Sequence, residues 1–213
     1  MDEEQIARFN AAQRDAFDRS CHLFLVALPD GVVERMERIV AAPAIRPGEV
    51  VLDVGTGTGA LIPQIRRYGP GGIFACDLSP RMLEQVARRY SEVERHLCDV
   101  RELALPDGAV DVVFMNGMYG NIIDKEGALS NLVRMLAPGG RVVISHPEGR
   151  GFVAQLARAA PFPITALPSE DEARSFLGSF GLTLTHYVDE EKLFIALAGW
   201  APNSNTPAIV PTR

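Results

Sequence analysis

Residues 50–60 of the chain read Val50-Val51-Leu52-Asp53-Val54-Gly55-Thr56-Gly57-Thr58-Gly59-Ala60. Four apolar residues and one acid lead directly into three glycines at alternate positions, which predicts a buried parallel strand that ends in a tight turn before a helix. Glycine is favoured in such a turn because the backbone approaches a ligand closely or adopts a positive φ. The free amide groups at the start of the next helix favour anionic or strongly polar groups. We therefore expect a nucleotide-type cofactor site here.

The bulk composition is typical of one globular domain and excludes several classes of function. The chain has 213 residues, of which 47% are hydrophobic and 23% are charged, so it can bury a substantial core. Its formal charge of −6 gives no general attraction for nucleic acid, and we expect no nucleic-acid partner. The three cysteines, at positions 21, 76 and 98, lack CxxC or Cys/His spacing for zinc, so no metal site is predicted.

No segment of the sequence predicts export or insertion into a membrane. No apolar run reaches the roughly 18 residues of a membrane span. The first residues, Met-Asp-Glu-Glu-Gln, lack the basic start and apolar centre of a signal peptide. The expected location is therefore the cytoplasm.

Strand and helix patterns alternate after residue 48. The predicted strands cover residues 50–54, 73–76, 93–98, 110–115 and 141–145, and the helices between them include 59–68, 79–90 and 129–136. Such alternation with short connections predicts an α/β fold, a doubly wound Rossmann-like sheet that is mostly parallel and has helices on both faces. Two further segments, 182–188 and 192–197, predict a β-hairpin that adds an antiparallel strand at one edge.

The chain is expected to form a single domain over residues 1–200, followed by a loose tail over residues 201–213. Residues 1–42 contain two helical patterns, of which the second can be capped by Asp30. Residues 146–168 interrupt the strand–helix alternation. A helix from Ser169 to Phe180 then begins with a capping box formed by Ser169 and Glu172.

Three acids occupy informative positions along the predicted strands. Asp53 lies inside the first strand, Asp77 ends the second, and Asp99 ends the third. An acid about twenty residues beyond the glycines can accept hydrogen bonds from both hydroxyls of a ribose. The pattern Gly-x-Gly-x-x-Ala at residues 55–60 also satisfies the dinucleotide fingerprint, but the Asp53 carboxylate would repel a pyrophosphate and suits an ammonium group. Asp99 suits the exocyclic amine of adenine, and together these groups describe S-adenosylmethionine.

With these motifs the chain resembles the class I S-adenosylmethionine-dependent methyltransferases, specifically the small-molecule, quinone-biosynthesis-like branch. Five matching pieces occur in the family's order: residues 51–59, Asp77-Leu78-Ser79 with Met82, Cys98-Asp99-Val100, Leu105-Pro106 with residues 110–113, and residues 136–141. Together they cover about residues 48–145. The resemblance implies that residues 1–42 form a helical lid and that residues 146–168 are an insertion on the substrate side.

The resemblance implies a cofactor-binding role for each matching residue, with S-adenosyl-L-methionine as cofactor and S-adenosyl-L-homocysteine as product. Asp53 and the loop of Gly55, Thr56, Gly57, Thr58 and Gly59 would hold the methionine part. Asp77 would accept from the ribose hydroxyls, with Leu78 and Met82 against the adenine. Asp99 would accept from the adenine amine beside Val100, and Asn116 would lie near the sulfonium.

The sequence offers three candidates for catalytic groups. A sulfonium activates its own methyl group, so the protein mainly holds a nucleophile in line at about 3 Å from the methyl carbon. A general base is needed only if the acceptor loses a proton as it attacks. The candidates are His146, directly after the fifth strand; His22, beside an apolar run in the N-terminal lid; and Tyr119, which could contact the methyl group.

The expected acceptor is a small apolar or aromatic molecule, with contacts from Phe152, Phe162 and Ile164. Residues 116–119 read Asn-Gly-Met-Tyr and match only the ends of the Asp/Asn-Pro-Pro-Tyr/Phe motif of enzymes that methylate base amines. Two other functions stay open, an NAD(P)-dependent oxidoreductase and a non-catalytic S-adenosylmethionine-binding protein. The acceptor, the methylated atom, the use of a base and the oligomeric state, a homodimer or otherwise, also stay open.

Overall fold

A computed structural model describes residues 2–200, so the predicted tail at residues 201–213 lies outside the described residues. Within residues 2–200 seven strands form one sheet in the order β3-β2-β1-β4-β5-β7-β6. Neighbouring strands among β1–β5 are parallel, whereas β7 runs antiparallel to both β5 and β6. This topology confirms the predicted Rossmann-like sheet with its C-terminal hairpin. The strands are β1 Val50–Val54, β2 Gly72–Asp77, β3 Glu94–Leu97, β4 Val110–Asn116, β5 Leu136–His146, β6 Leu182–Glu190 and β7 Leu193–Trp200.

Helices cover both faces of the sheet, as the sequence predicts. Alternate residues of β4 point to opposite faces. Val113 and Met115 pack in one apolar cluster with residues of the fifth and seventh helices, and Val112 and Phe114 pack in a second cluster with residues of the second and third helices. The helices are α1 Glu3–Ser20, α2 Val32–Ala41, α3 Ile62–Arg66, α4 Pro80–Arg89, α5 Lys125–Met135, α6 Gly149–Ala159 and α7 Glu170–Gly178.

Helix starts with a local side-chain signal lie where the sequence places them. Ser79 caps α4, because its Oγ accepts from the Met82 amide at 3.1 Å and Pro80 follows at the first helical position. The capping box of Ser169 and Glu172 begins α7. The prediction for Asp30 is wrong: the residue before α2 is Gly31, with a φ of 76°, and no side chain caps the helix.

The first residues of one helix and one strand differ from the prediction, because the backbone of the glycine turn and the pairing between strands set them. The helix predicted from residue 59 begins only at Ile62, because the glycine turn before it needs positive φ angles that a right-handed helix excludes. Strand β5 begins at Leu136 rather than residue 141, because Leu136 pairs with Val110 across an irregular register.

Helix α1 lies across the carboxyl ends of β2, β3 and β4. Gln13 Nε2 donates to the Asn121 carbonyl at 2.9 Å, Asn10 Nδ2 donates to Asp99 at 2.6 Å, and Asp18 accepts from the Ser79 hydroxyl. A 3₁₀ turn over Cys21–Leu25 follows, and the chain then continues to Pro29. The lid role of residues 1–42 stays a prediction that these contacts favour. In the part of the chain that the structure describes, no helix combines the length and apolarity that crossing a membrane requires.

Candidate cofactor and acceptor site

The glycine turn lies at the carboxyl end of β1 and is held against β2. The amides of Gly55 and Thr56 both donate to the Cys76 carbonyl, at 2.8 and 3.2 Å. Gly55 has a φ of 62°, and a Cβ there would lie 2.7 Å from Met118 Cγ. Gly57 has a φ of 55°, and a Cβ there would meet nothing within 4 Å. The turn therefore needs glycine at position 55 for both conformation and space, and at position 57 for conformation alone.

Asp53 is a buried carboxylate without a cationic partner in residues 2–200. Its side chain is 2% exposed, and Oδ2 accepts from Thr56 Oγ1 at 2.7 Å. Burial raises its pKa from 3.8 to about 7, although the Thr56 hydrogen bond opposes this shift. Asp53 nevertheless borders the larger of the two cavities described below. An ammonium group in that cavity would supply the positive charge that the carboxylate needs, so the residue suits the methionine part of S-adenosylmethionine.

Asp77, at the end of β2, is oriented by the backbone around it. Its Oδ2 accepts from the Gly57 amide at 2.8 Å, and Oδ1 accepts from the Ser79 amide at 2.9 Å. Burial raises its pKa, and these backbone hydrogen bonds act in the opposite direction. A carboxylate has about four lone-pair sites, so these backbone contacts still leave Asp77 able to accept from a ribose hydroxyl.

Asp99 already has several protein donors around it. Oδ2 accepts from Asn10 Nδ2 at 2.6 Å and from Arg101 Nε at 2.9 Å, and Oδ1 accepts from the Arg101 amide. A small cavity of about 60 Å³ lies beside it, and Leu78 and Val100 are among its lining residues. The predicted adenine contacts are therefore adjacent, but α1 covers them and Asn10 binds the carboxylate. No sequence prediction placed Asn10 at this carboxylate.

A second cavity of about 730 Å³ begins at the glycine turn and lies at the carboxyl ends of β1, β4 and β5. This position is where open α/β sheets bind ligands, and the size is within the roughly 300–1,000 Å³ of ligand pockets. Most of its wall is apolar. Its polar groups include side chains at the ends of β4 and β5 and one in the loop after β5. The apolar wall includes Phe17, Leu28, Met36, Met82 and Phe152, and the polar groups include Asn116, His146 and Glu148.

His146 is the last residue of β5 and is 8% exposed. Its Nδ1 accepts from the Glu148 amide at 3.1 Å, and its ring centroid lies 5.4 Å from that of Phe152. Burial lowers the pKa of His146 to about 4, so the ring is neutral at neutral pH. The structure thus places His146 in the cavity, as predicted, but the lone pair that a general base would use is bound to a backbone amide.

The other two catalytic candidates are not among the residues that line the cavities. His22 is exposed, and its Nδ1 lies 3.1 Å from the Arg19 carbonyl oxygen. Tyr119 is buried in the core, where burial raises its pKa to about 12 and Lys125 Nζ lies 5.1 Å from its ring centroid. Neither residue lines either cavity. The geometry therefore argues against both as groups that touch the reacting atoms.

Of the three residues predicted to contact the acceptor, only one lines the larger cavity. Phe152 lines the larger cavity, but Phe162 and Ile164 do not. Phe162 instead packs against Phe9 and Phe17, with ring centroids 6.0 and 5.9 Å apart. The segment 23–28, the apolar run of the predicted N-terminal lid, also contributes to the apolar wall, although none of its residues was predicted as an acceptor contact. Thr58 Oγ1 donates to the Phe24 carbonyl at 3.2 Å and joins this segment to the glycine turn.

Comparisons with known proteins agree with this geometry. Residues 52–144 match the family model described as "Methyltransferase domain". A demethylmenaquinone methyltransferase of Tropheryma whipplei (strain Twist) is 39% identical over 121 residues, 54% of this chain and 48% of the relative. The corresponding enzyme of Thermus thermophilus is 41% identical over 100 residues, 44% and 45% of the two chains. The chain thus spans about half the length of these curated relatives.

Solved structures are similar over nearly the whole chain. The 1,6-didemethyltoxoflavin-N1-methyltransferase of Burkholderia thailandensis, solved with S-adenosylhomocysteine, has a TM-score of 0.70 and 20% identity, over 92% of this chain and 90% of its own. The magnesium protoporphyrin IX methyltransferase of Synechocystis, also with bound S-adenosylhomocysteine, has a TM-score of 0.67 and 18% identity, over 91% and 100% of the two chains. These likenesses show the fold.

Proposed function

We propose that this chain transfers a methyl group to a small, largely apolar acceptor. The premise is that residues 52–144 form a methyltransferase domain of the class I S-adenosylmethionine-dependent type. The domain match and the relatives confirm the cofactor, S-adenosylmethionine, that the sequence motifs predicted. The acceptor and the residues that contact it are proposals. They rest on one observation: the Asp53 carboxylate, which has no cationic partner within residues 2–200, and a largely apolar wall line the same cavity.

The cofactor roles follow from the charges and contacts at the strand ends. Asp53 would bind the ammonium of the methionine part, and Asp77 would accept from the ribose. The apolar side chains of Leu78, Met82 and Val100 would border the adenine, and Asn116 would lie beside the sulfur. When bound, the cofactor supplies a methyl group on a positively charged sulfur, so this chain need only exclude water and hold the acceptor in line.

The apolar rim of the cavity supports the proposed class of acceptor. Four large apolar residues of the segment 23–28 line the cavity and are also exposed, with Leu23 at 60%, Phe24 at 48%, Val26 at 67% and Leu28 at 43%. Contiguous exposed apolar residues around a cavity mark ligand or partner sites. An acceptor with an aromatic ring or an apolar chain would cover this rim, as a quinone precursor would.

Two measurements test the proposal. Calorimetry should detect binding of S-adenosylhomocysteine and no binding of NAD, because Asp53 favours an ammonium over a pyrophosphate. Transfer of a labelled methyl group from S-adenosylmethionine should then be measured with hydroxy-aromatic and isoprenoid acceptors beside polar amines. The variant Asp53→Asn should lose cofactor affinity, whereas Asp171→Asn, at an exposed position of α7, should not. Methylation of polar amines alone would contradict the proposed acceptor class.

The two alternative functions predict different results in the same assays. An NAD(P)-dependent oxidoreductase, which the relatives do not favour, would bind NAD. A non-catalytic protein would bind S-adenosylhomocysteine and methylate none of the acceptors.

Three further expectations about the whole protein stay proposals. A cytoplasmic location is supported by the free thiols of Cys21, Cys76 and Cys98, which suit a reducing compartment. Light scattering after gel filtration tests the homodimer. A filter-binding assay with duplex DNA and tRNA tests the expected lack of a nucleic-acid partner.

A further inference from the structure

We propose that His146 donates a hydrogen bond from Nε2–H to an oxygen atom of the methyl acceptor and does not act as a general base. The inference rests on the proposed function in one respect, since it takes the larger cavity to be the acceptor site. It concerns which atom of the ring carries the proton and what chemical group that atom can recognise.

The tautomer of His146 follows from its neighbour in the chain. The Glu148 amide can only donate, and it points at His146 Nδ1 from 3.1 Å. Nδ1 must therefore present its lone pair, and in a neutral imidazole the proton then lies on Nε2. Nε2 has no hydrogen-bond partner within residues 2–200, and His146 lines the larger cavity. The group that the ring offers to a ligand is thus an N–H donor.

The loop after β5 is held from two sides, which fixes the position of the Glu148 amide. Arg35 of α2 donates from Nε to the Pro147 carbonyl and from Nη2 to Glu148 Oε1 at 2.8 Å. The two side chains of this ion pair are only 15% and 23% exposed. On the other side, Gly149 has a φ of 71°, and a Cβ there would lie 2.6 Å from the Glu191 carbonyl oxygen. Arg35 is therefore a positioning residue for His146, acting through the loop.

Burial, and no neighbouring charge, lowers the pKa of the His146 ring. The cation of α2 that faces this loop, Arg35, is paired with Glu148, the acid nearest in sequence. Asp53 borders the same cavity from β1, and Phe152 of α6 packs against the ring. Burial lowers the pKa of His146 to about 4, which keeps the donor neutral throughout the range in which the enzyme would work.

Asn116 provides a second donor beside His146. Its Oδ1 accepts from Ser145 Oγ at 3.0 Å, which leaves the amide nitrogen for a ligand. Asn116 is paired with Ser145 in the sheet, so the two donors lie at the ends of adjacent strands. Two N–H donors match a carbonyl or an ionised hydroxyl oxygen. The acceptor class is therefore an apolar molecule that carries a ketone, quinone or phenolate oxygen.

Nuclear magnetic resonance tests the tautomer without cofactor or acceptor. Long-range ¹H–¹⁵N spectra of the four histidines, with His146 identified by its loss in His146→Gln, should show its proton on Nε2. The ring signals of His146 should not change with pH between 5.5 and 8. A proton on Nδ1, or a midpoint near the ordinary value of about 6.5, would overturn the inference even if methyl transfer is observed.

Ligand binding tests whether His146 recognises an oxygen atom of the acceptor. With S-adenosylhomocysteine present, 2-naphthol should bind about fivefold to tenfold more tightly than naphthalene, the typical effect of one net hydrogen bond. His146→Ala should remove that advantage, whereas His146→Gln should keep most of it, because a glutamine amide nitrogen can replace Nε2–H. His186→Gln, at an exposed position of β6, is the matched control.

The outcomes separate this inference from the proposed function. If His146→Gln loses the advantage as fully as His146→Ala, the donor role is wrong, although the methyltransferase proposal stands. If neither probe binds while the tautomer is as expected, the cavity is not the acceptor site, and that result contradicts the assignment of an acceptor oxygen to His146.

Discussion

The affinity for S-adenosylhomocysteine should depend on pH through Asp53. This carboxyl group has its pKa raised to about 7 in the protein because burial disfavours its charge. The bound ammonium needs the ionised form, so below pH 7 a proton must leave before the ion pair can form. Affinity therefore rises with pH through about 7, whereas an ordinary surface acid, with a pKa of about 4, would give no change between pH 6 and 8.

The size of the effect follows from the ionised fraction. With a pKa of about 7, that fraction is about 0.09 at pH 6 and about 0.9 at pH 8, which gives about a tenfold change in the dissociation constant. Asp53→Asn removes the charge but keeps an oxygen that can accept from Thr56. It should weaken binding about 10-fold to 100-fold, because a hydrogen bond to a charged group contributes about 1.5–3 kcal/mol.

The same substitution should make the ligand-free protein more stable. An acid whose pKa is raised on folding favours the protonated folded state, so its contribution to the free energy of unfolding falls as pH rises from about 4 to about 7. A shift of about three pKa units corresponds to about 4 kcal/mol as an upper bound. Asp53→Asn avoids this cost, so at pH 8 its Tm should exceed that of the wild type by several degrees, at about 2–4 °C per kcal/mol.

Titration calorimetry at pH 6, 7 and 8, at constant ionic strength, measures the affinity and the number of protons released. The ligand control is 5′-methylthioadenosine, which lacks the amino-acid part and should show no such pH dependence. The protein control, Asp171→Asn, should behave as the wild type. Equal dissociation constants for S-adenosylhomocysteine at pH 6 and 8, or an unchanged affinity in Asp53→Asn, would refute the assignment of Asp53.

Two further substitutions test the glycine turn and the contact between α1 and the adenine side. Gly55→Ala should lower the free energy of unfolding by more than 2 kcal/mol in urea denaturation, since the αL cost of about 1–2 kcal/mol adds to a clash with Met118. Gly57→Ala should lose only the αL cost, because its added Cβ meets open space; equal losses would contradict this reading. Asn10→Ala should strengthen S-adenosylhomocysteine binding up to about tenfold by freeing the Asp99 carboxylate, and weaker binding would mean that Asn10 helps to hold the cofactor.

The parts of the fold that could be predicted are those whose signals are local in the sequence. Ser79 with Pro80, and Ser169 with Glu172, specify helix starts because the capping partners lie three residues apart. Strand–helix alternation specifies the parallel sheet because the central strands β1 and β4 are mostly apolar and buried. Asp30 fails as a cap because α2 begins after Gly31, whose left-handed conformation takes the place of a side-chain cap. A Cβ at Gly31 would lie 2.8 Å from the Arg35 guanidinium, a contact that the local sequence does not indicate.

The sequence by itself determined the fold class and was enough to predict the cofactor, because the glycine turn, Asp53 and Asp77 stand at fixed offsets from strands that the sequence also marks. Only the tertiary structure decided what the remaining groups do. Asn10 reaches Asp99 from 89 residues away, and Arg35 reaches Glu148 from 113 residues away. The first contact covers the proposed adenine side, and the second holds the loop whose Glu148 amide donates to His146. Such contacts have no periodic or local signal, since they depend on where the folded sheet brings distant segments together.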